Sequence, residues 1–296
     1  MSPNGLFIGL STLDIIYLVE GLPQPNEKIT ALDETSAAGG PATNAAVTFS
    51  RLGGTAQLCA AMGQHPNSSL IRNDLSLQGV QITDLTPDAT ESPSVSSIMV
   101  TAATGDRALV CINAKKLQAT VDLSPDLLDK IDILLIDGHQ MAASHEIAQH
   151  AKKRQIPIVI DGGSWKPGFE TVLTYADYAL CSANFYPPDC TTSEQVFDYL
   201  ASLGIPNLAI TQGGKPILYR TKNGAGRVEV AAVEVVDTLG AGDIFHGAFC
   251  YFILQQDFIA ALQSASQVAA KACQVFGTRR WWEWWAFEDK WRMTKD

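Results

Sequence analysis

The second half of the chain repeats one pattern: a short, almost unbroken apolar run that stops at a glycine or a polar residue, followed by helix-forming sequence. The runs are "IDILLIDG" (131–138), "IPIVIDGG" (156–163), "ADYALCS" (176–182) and "NLAITQGG" (207–214). The helical stretches "HEIAQHAKKR" (145–154) and "SEQVFDYLASLG" (193–204) lie among them. A strand that is apolar along its whole length must be covered on both faces, and strand–helix alternation supplies that cover. The pattern predicts an α/β fold with a mostly parallel central sheet. In such sheets ligands bind beyond the carboxyl ends of the strands. Asp14, Gly138, Asp161 and Gly213, read as strand-end residues, are therefore the first places to look for chemistry.

The first half follows the same logic with two interruptions. "LFIGLSTLDIIYLV" (6–19) reads as a buried strand and a second extended piece, "GGPATNAAVTFSRLGG" (39–54) as a helix closed by Gly53-Gly54, and "AQLCAAMG" (56–63) as the next strand. The segments at about 15–35 and 96–112 break the rhythm. The second is a hairpin, two β-rich arms around "ATGDR". Together they are expected to form a small β-sheet lid on one domain spanning 1–296. "KPILYR" (215–220) begins an antiparallel pair, and helices are expected from about 243 to 276.

Composition narrows the class. With 46% apolar and 18% charged residues, a large core is available and wholesale disorder is excluded. The net charge of −10, with no basic stripe, argues against a nucleic-acid partner. No apolar run of about 18 residues predicts a membrane span, and no segment reads as a secretory leader. The six scattered cysteines, without a C-x-x-C pair, read as reduced thiols of a cytoplasmic protein. His145 and His150 are five positions apart, off one helical face, so no metal-ligating set is expected.

The chemistry concentrates in "VVDTLGAGDIFHGAF" (235–249). Gly240-Ala241-Gly242 lets backbone N–H groups converge just where an apolar helix begins, and the helix dipole adds to them, so the turn reads as an anion hole. Asp243 stands at its mouth. Alone it reads equally as a helix cap. Beside an anion hole it suits a base that takes a hydroxyl proton while the hole stabilises a phosphoryl group in transfer. His246 reads as packing or as a hydrogen-bonding residue behind the site. Asp161 in "DGGSWK" is either a cleft-rim group or part of a glycine turn. His139 is a loop residue or a substrate contact, and Arg107 a substrate contact or a solvated hairpin arginine. "RRWWEWWAFEDKW" (279–291) holds five of the six tryptophans. It reads as an aromatic anchor of the C-terminal segment or as a contact surface for nucleotide or subunit.

"DTLGAGD" resembles the D-T-x-G-A-G-D signature of the ribokinase-like (PfkB-type) carbohydrate kinases. "GGPATNAA" resembles that family's first signature, and "GLSTLDII" its opening strand, ending in a sugar-binding Asp. "TGDRAL" resembles the lid hairpin, "ITQGG" the loop under the nucleotide, and "SQVAAKACQVFG" the helix closing the adenine pocket. The matches keep the family order, run to Gly277, and look most like the ketohexokinase/fructokinase branch. The resemblance implies a three-layer fold with a lid and transfer of the ATP γ-phosphoryl to a sugar hydroxyl. It implies Asp243 as base, with Gly240, Ala241 and Gly242 as the anion hole. Asp14, Gly39, Gly40, Asn44 and Arg107 would meet the sugar. Asn184, Thr211, Gly213, Gly214, Asp237, Thr238, Cys273 and Gly277 would lie by the nucleotide. Mg2+ would be held mainly by phosphates and water, a monovalent cation such as K+ would sit near the anion hole, and two copies would pair through the lid. The chain departs from the family pattern at Pro41, at "NFYP" (184–187), which lacks the glutamate of N-x-x-E, and at Pro216. Three other readings stay open: a nucleoside acceptor, which the absence of aromatics from 96–113 disfavours, a sugar-phosphate acceptor met by Arg107, Lys115 or Lys116, and a catalytically idle sugar-binding member.

Overall fold

The computed structural model describes residues 2–119 and 123–282. Its centre is β1 (Asn4–Gly9), which runs parallel between β4 (Thr55–Ala60) and β8 (Ile133–Ile136), with Phe7 opposite both Leu58 and Leu135. β5 (Val80–Asp84) extends the sheet beyond β4. On the other side β9 (Ile158–Gly162), β10 (Tyr178–Ser182) and β11 (Asn207–Gln212) follow, all parallel. Antiparallel β12 (Lys215–Thr221) and β13 (Gly224–Val228) complete a nine-stranded sheet.

The apolar runs are continuous because alternate residues enter two cores. Phe7, Leu58, Leu135 and Leu180 pack under α1 (Pro41–Arg51), α6 (Ala241–Phe252) and α7 (Phe258–Ala272). Leu6, Ile8, Ile136 and Ile160 face the opposite layer: α3 (Met141–Lys153), α4 (Phe169–Leu173) and α5 (Ser193–Ser202). Each such side chain contributes roughly 1.5–3 kcal/mol by leaving water. α5 starts on a capping box between Thr192 and Gln195, and α7 on Asp257, whose carboxylate accepts the Ala260 N–H at 2.9 Å.

A second, four-stranded sheet stands apart from the first. Its order is β3 (Asp33–Gly39), β2 (Thr12–Val19), β6 (Ser94–Thr101), β7 (Arg107–Val110). β6 and β7 form the expected hairpin. The expected segment at 15–35 is displaced: the strands occupy 12–19 and 33–39, with a loop between them. Asp14 also moves. It is the third residue of β2, in the small sheet, and does not close the opening strand. β1 stops at Gly9, where a Cβ would lie 2.0 Å from the Asp137 carboxyl, and the chain then turns through Leu10-Ser11 into the second sheet.

α2 (Pro66–Leu77), β5 and α4 were not anticipated. In α2 only Ser68, Ile71 and Leu75 are buried, and exposed Leu70 and Leu77 blur its apolar period. All six cysteines are unpaired. Among the described residues no helix is long and apolar enough to cross a membrane. Of the tryptophan-rich stretch, residues 283–296 lie outside the described residues. Trp281 is buried, and the Arg51 guanidinium stacks 4.5 Å over Trp282.

Candidate active site

α6 begins at Gly240, whose φ of 70° lies in the left-handed region. A side chain there would press on Thr278 and Asn44, whereas a Cβ at Gly242 would meet nothing. The Gly242 and Asp243 N–H groups head the helix, where no carbonyl precedes them in register. The Ala241 N–H turns back to the Thr238 carbonyl at 3.3 Å. Asp243 lies in this first turn and its Oδ2 accepts a hydrogen bond from Asn44 Nδ2 at 2.9 Å. Burial pushes the Asp243 carboxyl up to about 7, and the nearby Asp161 carboxylate adds to the rise against the opposing influence of Asn44, His246 and Arg107. Asp243 thus sets a half-buried carboxylate in the first turn of α6.

Two carboxylates that close parallel strands stand behind it. Asp161, at the end of β9, is buried against His246, with Oδ2 3.3 Å from Nδ1. The His246 ring also lies 2.7 Å from the Gly242 carbonyl and 3.0 Å from that of Leu180, tying the helix start to β10. His246 thus makes hydrogen bonds at the start of α6, and Asp161 is a buried residue of β9. Burial raises the Asp161 carboxyl. Asp137, directly after β8, went unnoticed in the sequence, although it follows an apolar run as Asp161 does. Its Oδ2 accepts the Leu10 and Ala42 N–H groups at 2.9 and 3.1 Å, and its Oδ1 the His139 N–H at 2.9 Å. Burial acts to raise this carboxyl, but His139, Lys166 and the Leu10 N–H outweigh it and hold it at about 2. His139 is thereby a partner of Asp137. Lys166, also missed, donates to the Asp137 carbonyl at 3.3 Å.

Asp14 approaches from the small sheet. Thr12 Oγ1 donates to its Oδ1 at 2.6 Å, and a Cβ on Gly39 would lie 1.9 Å from its Oδ2, so Gly39 is the seat on which this carboxylate rests. Burial raises the Asp14 carboxyl. Gly40, at φ 101°, turns the chain into α1, which carries Asn44, 3% exposed.

A further group converges on the loop before α6. Asp237 accepts the Leu239 N–H at 2.8 Å and the Gly277 N–H at 2.9 Å. The Val236 and Asp237 N–H groups both donate to the Cys273 carbonyl. Thr238 meets the small sheet: Arg107 Nη1 donates to its carbonyl and hydroxyl at 3.0 and 2.9 Å, and its own hydroxyl donates to the Gly105 carbonyl. Asp237, Thr238, Cys273, Gly277 and Arg107 therefore form one contact group. Thr211, Gly213 and Gly214 lie at the end of β11, where a Cβ on either glycine would meet nothing, so the floor is open. Asn184 is exposed beyond β10, its N–H bonded to Ser182 Oγ at 3.1 Å, and no contact ties it to Asp243. Lys115 and Lys116 are exposed.

A three-layer α/β fold thus carries carboxylates at its strand ends, and the small second sheet adds that of Asp14. The pfkB family carbohydrate kinase pattern matches residues 4–285, and the chain belongs to that family. The match extends past Gly277, the last residue of the sequence motifs. Among relatives, a ribokinase of Bacillus subtilis (strain 168) is 26% identical over 288 residues, covering 93% of this chain and 94% of that protein. A putative ribokinase from Agrobacterium tumefaciens superposes with a TM-score of 0.84 at 24% identity, covering 97% of this chain and 100% of that one. A putative ribokinase II from E. coli, solved in complex with ATP and Mg2+, gives 0.76 at 20% identity, with 94% of each chain covered.

Proposed function

We propose that the protein transfers the γ-phosphoryl group of ATP to a hydroxyl of a free sugar, with Asp243 as the base. The observation that carries this reading is the placement of Asp243 in the first turn of α6, where Asn44 Nδ2 donates to its Oδ2 at 2.9 Å, and burial there raises its carboxyl to about 7. A base with a pKa near working pH accepts a proton in the transition state and releases it afterwards. The acceptor hydroxyl is bound between Asp14 of the small sheet and Asn44 of α1, and Asp243 takes its proton. The Gly242 and Asp243 N–H groups and the helix dipole stabilise the charge on the transferring group.

The nucleotide lies over Gly213-Gly214, whose open surface fits a bulky ligand, with Cys273 and Gly277 on its far side. The E. coli neighbour solved with ATP and Mg2+ supports that choice. When bound, magnesium neutralises phosphate charge, held mainly by phosphate oxygens and water. A monovalent cation such as K+ would sit near the anion hole. The small sheet acts as the lid of a single domain, a reading supported by the Arg107–Thr238 contact that joins it to the loop before α6. Exposed Leu109, Val110 and Ile112 at the β7 edge support pairing of two copies through this sheet. We place the reaction in the cytoplasm, in keeping with six unpaired cysteines.

ADP release with ATP, Mg2+ and a panel of pentoses, ketohexoses, nucleosides and sugar phosphates tests the reading. Turnover with a free sugar supports it. Turnover with nucleosides alone transfers it to a nucleoside kinase, and no turnover with any acceptor means an idle family member.

A further inference from the structure

We infer that Arg279 is a positioning residue of the active site, fixing the orientation of the Asn44 amide and through it the Asp243 carboxylate. The inference rests on Asp243 being the base. Arg279 follows every regular helix and strand described, and nothing in the motifs around Asp243 points to it. Its Nη1 donates to Asn44 Oδ1 at 3.0 Å, and the other end of that amide, Nδ2, donates to Asp243 Oδ2 at 2.9 Å. A guanidinium has only donors and an ionised carboxylate only acceptors. If the Asn44 amide turned over, it would set NH2 against the guanidinium and oxygen against the carboxylate. Both neighbours therefore enforce one orientation, the one that offers Asp243 a hydrogen bond.

The guanidinium cannot rotate away. Nε donates to Asp74 Oδ2 at 3.1 Å, Nη2 to the Ala38 carbonyl, and Nη1 also to Thr278 Oγ1 at 3.1 Å. Asp74 Oδ2 in turn accepts the Ala38 N–H at 2.9 Å. The Arg279 side chain is 13% exposed. Burial works against its charge, with Arg51 adding to the pressure, and Asp74 and Asp14 oppose them. One fork thus joins β3, α2 and α1 and ends on the group that holds the base. Donation into Oδ1 also polarises the amide and strengthens the Nδ2–H bond to the carboxylate. The groups facing Asp243 besides Asn44 are Asp161, His246 and Arg107, none of which Arg279 replaces.

Arg279→Lys keeps the charge but loses the planar fork, so Asp74, Ala38 and Asn44 cannot all be met. The test is kcat and KM between pH 5 and 9 for Arg279→Lys, Asn44→Ala and the double variant, each first shown to be folded by circular dichroism. Misplacing the base should lower kcat about 10- to 100-fold for Arg279→Lys, with KM for ATP unchanged. The acid limb of kcat/KM should move to higher pH, because the ionised carboxylate loses support. The double variant should be no slower than Asn44→Ala, since both act on one path. A folded Arg279→Lys enzyme with wild-type kcat and limb, or losses that multiply in the double variant, overturns the inference. Should Arg279→Lys not fold, Asp74→Asn frees the same guanidinium from its far side and must move the same limb; an unmoved limb there overturns it equally. Asp243→Asn run in parallel separates the two levels. If that variant turns over normally, the base reading has failed, whereas an inactive Asp243→Asn beside an unaffected Arg279→Lys removes Arg279 alone.

Discussion

Asp243→Asn leaves the shape of the side chain and removes its charge, so it separates what this carboxylate does from what it costs. In the native protein the carboxyl is raised from 3.8 to about 7, chiefly by burial. A group raised on folding binds its proton more tightly in the native state. The stability it contributes is complete below pH 3.8 and is lost as pH rises through about 7. Asparagine has no such dependence and still accepts a hydrogen bond from Asn44. At 1.36 kcal/mol per tenfold change in proton affinity, ionising Asp243 costs at most ~4 kcal/mol, and coupling to Asp161 and His246 redistributes part of that. Between pH 5 and pH 8 the stability of Asp243→Asn relative to wild type should therefore rise by about 2 kcal/mol. Urea titrations at the two pH values measure the change. Over the same range kcat should fall by about 10²- to 10⁴-fold in the variant, the contribution of a positioned base. Wild-type kcat/KM should show an acid limb near pH 7 as the free enzyme's carboxyl ionises. Turnover within tenfold of wild type refutes the catalytic assignment. A stability difference that does not change with pH refutes the electrostatic argument beneath it.

Other perturbations report on neighbouring parts. Gly9→Ala would drive a methyl group to within 2.0 Å of the Asp137 carboxyl and should destabilise the fold by about 2–4 kcal/mol in chemical denaturation; an unchanged midpoint would mean that the Asp137 seat yields. Gly39→Ala displaces Asp14 and should raise KM for the acceptor about tenfold or more while sparing KM for ATP; equal changes in both would remove Asp14 from the acceptor site. Val110→Lys, at a residue 73% exposed on the small-sheet edge, should convert a dimer to a monomer in light scattering; an unaltered mass would exclude that edge as the contact.

The central sheet was legible because β8 to β11 are largely buried on both faces, so each strand is a short apolar run that stops at a glycine or a polar residue. Asp243 was legible as a candidate for a local reason: the glycines, Asp243 and the apolar start of α6 are consecutive. Asp14 was legible as a residue and misplaced in the fold, since nothing in "GLSTLD" says that the chain changes sheets after Gly9. Asp137 carried the signal that drew attention to Asp161, an acid closing an apolar run, but Gly138 and His139 took the notice. Arg279 had no local signal. Its partners Asp74 and Asn44 are 205 and 235 positions away, and it stands in a tryptophan-rich stretch that draws the eye to aromatic burial.

Asn44 and Asp243 are 199 positions apart. At about 5–20 residues per second, a growing chain spends roughly 10–40 s between making the first and the second. Throughout that interval the Ala42, Ala45, Ala46 and Phe49 face of α1 lacks α6, whose Gly247 lies so close that a Cβ would sit 2.3 Å from the Ala45 carbonyl oxygen. Until α6 is made, the growing chain therefore carries this apolar face of α1 uncovered. Transiently exposed apolar surface of this kind is what makes folding intermediates prone to aggregate.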